Sequence, residues 1–281
     1  MNHRIRSLSS RFLHSTWRNP FALFGTLFVG VLVLVAVFAP QLAPYNPIAL
    51  NLAERDSPPS GEHWMGTDRL GRDIYSRVLY GARVSLKVGV VAQTVSMSLG
   101  VVLGLVAGYF RGMTDHVVMW LVNVVWAFPY LLLVLAIQIA LPNTPWTIFF
   151  AIGLAGWVSV ARIVRGEVLS LREREYVEAA RALGLSSQRI IFRHILPNLV
   201  PTIAVVATLG LATAIVAEAA LSFLGLGIQP PNPSWGNMIL DGYTRIRFVW
   251  WQAVFPSLAI VLSVLSFNLL GDAFASRRIE V

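Results

Sequence analysis

Long apolar runs alternate with short polar stretches along the whole chain, and this alternation predicts its elements. Residues 21–39 form an uncharged run of 19 residues, about the length a helix needs to cross a hydrocarbon core of roughly 30 Å. Further apolar runs cover 84–110, 117–141, 146–161, 199 to about 220, and 250–270. Six spanning helices are therefore expected. Pro142, Asn143, Thr144 and Pro145 make an uncharged tight turn between the third and fourth runs. Two longer connections interrupt the series. Residues 40–83 open with a Pro-rich stretch and then balance five acids (Glu54, Asp56, Glu62, Asp68, Asp73) against five arginines (Arg55, Arg69, Arg72, Arg77, Arg83), which suits a structured segment outside the membrane. In residues 221–249, Gly225, Gly227, Pro230, Pro231 and Pro233 argue for turns rather than helix. Trp250 and Trp251 stand where an aromatic belt is expected.

The polar island at 172–198 has a pattern of its own. Residues 172–183 predict a short helix with Tyr176, Ala179, Ala180 and Leu183 on one face. Gly184 is placed to end it, because the residue after a helix often needs φ > 0 and glycine adopts that without steric cost. Ser186 can cap a second helix that carries Ile190, Ile191 and Ile195 on its apolar face, and Pro197 is expected to stop it. Such a pair forms a knob suited to a groove elsewhere. The same residues also suit a hairpin packed on its own protein, or a DNA-binding helix-turn-helix.

Composition narrows the choice. The 281 residues are 56% hydrophobic and 13% charged, with mean hydropathy +0.66, whereas soluble domains carry about 25% charged residues. The expected fold class is an all-α polytopic membrane protein, with about six transmembrane helices and a cytoplasmic helix-turn-helix. With no cysteine, disulfides, iron–sulfur clusters and thiolate zinc sites are excluded. Lys87 is the only lysine, so the net charge of +8 is almost wholly arginine. In a multi-spanning chain this fits basic cytoplasmic loops better than a nucleic-acid partner. An N-terminus inside the cell puts both termini and the island in the cytoplasm, and with them 14 of the 22 basic residues. The basic start (Arg4, Arg6, Arg11, Arg18) could open a signal peptide. The run behind it is too long for one, and Pro40 and Pro44 follow instead of a small-residue cleavage site, so an uncleaved span is expected.

Candidate chemistry is sparse. None of His3, His14, His63, His116 and His194 lies within an apolar run, which argues against an intramembrane metal centre. No G-x-x-x-x-G-K-[ST] loop is present, so ATP hydrolysis by this chain is not expected. Gly100, Gly104 and Gly108 form a small-residue ridge for close helix packing. Gln93, Asn123, Gln138, Glu218 and Asn268 are the polar groups near or within spans. Each costs free energy in lipid and should face a neighbouring helix or an aqueous path. Gln93, Asn123 and Glu218 are the candidates for a substrate path, with a helix-end hydrogen bond as the structural alternative for Glu218.

Glu178-Ala179-Ala180, then Gly184, then Leu196-Pro197 resemble the EAA loop of ABC-importer permeases, with His194 where the broad consensus prefers Ile. Gly66-Thr67-Asp68, Leu70-Gly71-Arg72-Asp73, Tyr80-Gly81-Ala82-Arg83, the SFLGLG at 222–227 and the NLLGD at 268–272 are similar to the dipeptide, oligopeptide and nickel subfamily. The resemblance covers residues 63–272. It implies a coupling loop formed by Tyr176, Glu178, Ala179, Ala180, Gly184, Ile190, Arg193 and Pro197. The implied partners are a second homologous permease chain, cytoplasmic ATPase subunits that hold ATP and Mg, an extracytoplasmic solute-binding protein and the lipid bilayer, with no nucleic acid. No cofactor is implied for this chain, and the implied cargo is a small solute such as a di- or oligopeptide. On this reading 1–20 is a cytoplasmic tail, 21–39 the first span, 40–83 an extracytoplasmic segment, 84–272 a permease core containing the loop 172–198, and 273–281 a cytoplasmic tail. The alternative is a self-sufficient secondary transporter or channel, which should show charged or broken midplane helices and inverted repeats.

Overall fold

The computed structural model describes residues 20–142, 144 and 146–276, so the expected tail at 1–20, apart from Pro20, and residues 277–281 of the one at 273–281 lie outside the described residues. The helices are α1 (Pro20–Leu42), α2 (Ile74–Phe110), α3 (Gly112–Trp126), α4 (Tyr130–Ala140), α5 (Thr147–Arg172), α6 (Glu175–Ala182), α7 (Ser187–Ile190), α8 (Leu196–Phe223), α9 (Trp235–Tyr243) and α10 (Trp251–Ser276). Among the described residues, five helical runs are long and apolar enough to cross a membrane. They become six if the bent pair α3 and α4 counts as one span.

Several boundaries differ from the pattern-based expectation. The second span begins at Ile74, ahead of residue 84, because Asp73 caps it: Asp73 Oδ2 accepts from the Ser76 amide at 2.7 Å. The third run is broken, α3 and α4 meeting at 95°. Pro129 has no N–H to continue the ladder, and it disfavours the helical region for Phe128. Pro197 does not stop the second short helix, which runs from Ser187 to Phe223. Ile191–Ile195 widens into a π turn immediately before it, and such local rewinding accommodates a proline within a spanning helix. The connection 221–249, expected as turns, contains α9. There Ser234 Oγ accepts from the Asn237 amide while Asn237 Oδ1 accepts from the Ser234 amide, a capping box.

The chain divides into two compact units. One holds the described residues up to Lys87 together with those from Leu211 onward. In it α10 packs on both α1 and α9. Its core gathers Leu32, Ile74, Ile215, Trp235, Met238, Trp251 and Phe267. Trp235 is fully buried and its indole donates to the Val78 carbonyl at 3.0 Å. Gly81 makes room for that ring, since a Cβ there would lie 2.6 Å from Trp235 Cδ1.

The other unit is Val88–Gly210. Here the glycine ridge of α2 lies on α5. A Cβ on Gly100, Gly104 or Gly108 would fall 2.5–2.8 Å from Val160, the Ala161 carbonyl or Val168. The expectation of a packing ridge holds, and its partner is α5 of the same chain. Gly153 of α5 returns the contact against Val95, 2.7 Å from its virtual Cβ.

Candidate functional site

The island 172–198 folds as two short helices around a glycine turn. Gly184 has φ +74°, Gly184 N–H donates to the Arg181 carbonyl at 2.9 Å, and Leu185 N–H donates to the Ala180 carbonyl at 3.2 Å. These paired bonds define a Schellman motif closing α6. Ser186 then caps α7, its Oγ accepting from the Arg189 amide at 3.4 Å. The first helix is shorter than expected because α5 continues to Arg172 and α6 starts only at Glu175.

The faces of this hairpin differ from expectation in phase. Val177, Ala180, Ile190 and Ile195 are buried and join Leu105, Tyr109, Val164, Val168 and Leu171 in one core, fixing the hairpin to the ends of α2 and α5. Of the four residues expected on one apolar face, Ala180 is buried while Tyr176, Ala179 and Leu183 are exposed. Leu183 is 79% exposed and Phe192 65% exposed. Glu178, Arg193 and Pro197 are also outward. Of the eight candidate loop residues, Ala180 and Ile190 therefore brace the knob from within, and the others lie at its surface or turn. Val177 and Phe192 went unrecognised, although Val177 stands three residues before Ala180, a helical spacing readable from the chain.

The three substrate-path candidates are not brought together within either unit. Gln93 is buried; its Nε2 donates to the Val206 carbonyl at 3.3 Å, and its amide lies where a side chain on Gly210 would project. Asn123 is exposed and accepts from Arg162 Nη2 at 2.8 Å, while Arg162 stacks over Trp126 at 3.6 Å. Glu218 is fully buried and accepts from Ser222 Oγ at 2.6 Å.

A polar framework in the first unit ties residues 51–73 to α9 and α10. Asp56 takes a two-pronged contact from Arg245 (2.9 and 2.6 Å) and a bond from Gln252 Nε2 at 2.8 Å. Burial raises the Asp56 pKa, but these hydrogen bonds outweigh it and hold the carboxyl below its usual range. Arg72 pairs with Asp68 at 2.7 Å and with Asp241 at 3.5 Å. His63, nearly closed off from solvent, sits between Asp73 (2.9 Å) and Glu54 (3.2 Å). Burial disfavours its charged form, yet the two carboxylates win and raise its pKa. Gly66 and Gly71 take positive φ in this segment, and a Cβ on Gly66 would lie 2.8 Å from Trp251. In the second unit Arg165 grips Asp115 at 2.5 and 2.6 Å, joining α5 to α3. The balance of charges in residues 40–83 was legible. The pairing of Asp56, Asp115 and Asp241 with distant arginines was not.

Comparison with known proteins gives consistent matches. Residues 100–278 match the family described as the binding-protein-dependent transport system inner membrane component. Residues 7–59 match the N-terminal TM domain of oligopeptide transport permease C. The oligopeptide transport system permease protein OppC of Bacillus subtilis (strain 168) is 41% identical over 254 residues, covering 90% of this chain and 83% of that protein. The dipeptide transport system permease protein DppC of the same strain is 42% identical over 273 residues, covering 95% and 85%. The glutathione transport system permease protein GsiD of Escherichia coli O6:K15:H31 is 43% identical over 266 residues, covering 92% and 87%. Among solved structures, an inward-facing MetNI methionine ABC transporter matches with TM-score 0.60 at 19% identity, over 73% of this chain and 97% of that one. An amino acid ABC transporter crystallised with histidines matches with TM-score 0.57 at 17% identity, over 73% and 95%. At such identities the two structures speak for the fold alone.

Proposed function

This chain belongs to the family of inner membrane components of binding-protein-dependent transport systems, and from that premise we propose that it moves peptide-like solutes and couples to its ATPase through the hairpin 172–198. It is a multi-pass membrane protein and the permease subunit of an ABC importer, a transport subunit rather than an enzyme. The bent pair α3 and α4 is a feature that a secondary transporter would share. The family match outweighs it.

Oligopeptide, dipeptide and glutathione permeases among the relatives support a peptide-like cargo. The working assembly in this reading adds a second homologous permease chain, cytoplasmic ATPase subunits carrying ATP and Mg, and an extracytoplasmic solute-binding protein. Both termini and the hairpin lie in the cytoplasm, and residues 40–83 lie outside.

The observation that carries the coupling role is the division of the hairpin into a buried base and an exposed tip. Val177, Ala180, Ile190 and Ile195 lock it onto the ends of α2 and α5, while Tyr176, Leu183 and Phe192 present apolar surface outward. Close-packed interiors move as bodies rather than deforming. A displacement imposed on the tip by closing ATPases is thus passed to α5, and along the run Ser187–Phe223. Alternating access follows if that displacement switches the spans between inward and outward openings. A single cysteine at Leu183, carrying a short crosslinker, should trap the ATPase in the assembled complex. Absence of that crosslink, with a control cysteine at Gly30 equally silent, would remove the docking assignment.

A further inference from the structure

From the cavity where α2, α5 and the hairpin meet, we infer a binding site for the phosphate headgroup of an anionic phospholipid. The cavity has a volume of about 330 Å³, in the range of ligand-sized pockets. Arg172 and Arg181 line it with Tyr109, Phe110 and Ser187, and none of the exposed tip residues Tyr176, Ala179 or Leu183 does. Both guanidiniums flank the same tyrosine ring, their Cζ atoms 6.0 and 5.6 Å from its centroid.

Among the described residues, no carboxylate lines the cavity. Glu173, next to Arg172 in sequence, is engaged with Arg111 at 3.2 Å. Arg172 spends Nη1 on the Tyr109 carbonyl at 2.5 Å, while its Nε is closed off from solvent without a hydrogen-bond partner among the described residues. A buried donor without an acceptor costs free energy, and two cations around one cavity repel until an anion joins them. Guanidinium forks match phosphate oxygens in geometry as well as charge.

The position selects a lipid over a soluble anion. Tyr109 and Phe110 end one spanning helix and Arg172 ends another, so the cavity opens at headgroup level. Phe110 is 53% exposed, and Leu185 and Ile190 complete an apolar wall. Such a lining accepts phosphate on the arginines and glycerol or acyl carbon against the ring, as basic pockets between spanning helices do for acidic headgroups.

Native mass spectrometry of the full-length chain, supplied with phosphatidylglycerol and phosphatidylcholine of identical acyl chains, tests this. Phosphatidylglycerol should be retained in preference, and Arg181→Gln should weaken its retention about fivefold. Arg181 is exposed, so the substitution empties no buried space and gives up only the contact with the Tyr109 ring, and an unchanged melting temperature would show that the fold is kept. Arg181→Lys, which keeps the charge, should recover most of the affinity, and millimolar inorganic phosphate should not displace the lipid. Equal retention of the two lipids, or no effect of either Arg181→Gln or Arg172→Gln, would overturn the site. Displacement by inorganic phosphate would reassign it to a soluble anion. Loss of the lipid when ATPase subunits are added would reassign it to a partner's acidic side chain.

Discussion

Replacing Gly184 by alanine isolates one physical term in the hairpin. Its φ is +74°, and a Cβ built there meets no atom within 4 Å. The added methyl therefore neither clashes nor packs, and the whole cost comes from forcing an L-residue into the left-handed region. That cost is about 1–2 kcal/mol, while asparagine tolerates the region far better. The strain falls on the Schellman turn, so its amides report it. Leu185 N–H, bonded to the Ala180 carbonyl, should exchange with deuterium about 5- to 30-fold faster in Gly184→Ala, at roughly 1.4 kcal/mol per factor of ten. Gly184→Asn should stay within a few-fold of the parent. The measurement is hydrogen exchange on peptides covering 180–190, in detergent, without partners. If alanine exchanges like glycine, or asparagine exchanges like alanine, the turn is not held by its left-handed residue and the account of the hairpin fails. Gly184→Leu adds bulk at the exposed tip and should abolish uptake while the chain still reaches the membrane.

Gly104→Val should lower thermal stability by about 1–3 kcal/mol, because its Cβ would lie 2.6 Å from the Ala161 carbonyl and 2.9 Å from Val164, whereas Gly30→Ala, open on all sides, should leave the melting temperature unchanged. Because the folded pKa of His63 is raised above 6.5, its stabilisation is fully present below that pH and lost as pH rises through the folded value. Residues 43–73 should then resist proteolysis better at about pH 6 than at about pH 8, and His63→Gln should flatten that difference. The cysteine-free chain also allows a topology test. A cysteine at Gly61 should react with an impermeant reagent in intact cells and one at Ser187 should not; the reverse pattern would invert the orientation.

Long-range pairing divides what was legible in the sequence from what was not. The apolar runs, Gly184 as the left-handed stop, the Ser186 cap and the glycine ridge all depend on contacts within a few residues or on a helix period. Each could therefore be read locally. The phase of the hairpin could not. Tyr176 and Leu183 are apolar enough to sit inside, and only the surface offered by Val164 and Val168 turns Val177 inward instead. Prolines misled in both directions. Pro129 breaks a run that hydropathy alone joins, while Pro197, expected to stop a helix, lies within one. The α9 cap was present in the sequence as Ser234 and Asn237, masked by the neighbouring Pro230, Pro231 and Pro233. The arginine–carboxylate pairs Asp56–Arg245 and Asp115–Arg165 join residues 189 and 50 positions apart, and no local pattern announces them.

Reconstituted uptake decides whether this chain is one passive part of an ATP-driven importer. Purified chain should be placed in liposomes alone, and then with the second permease chain, the ATPase subunits and an external binding protein, while uptake of a labelled dipeptide is followed. The chain alone should show no uptake under any ion gradient, and ATP-dependent uptake should appear only once all the partners are present. Uptake by the chain alone, driven by a proton or sodium gradient, would contradict it.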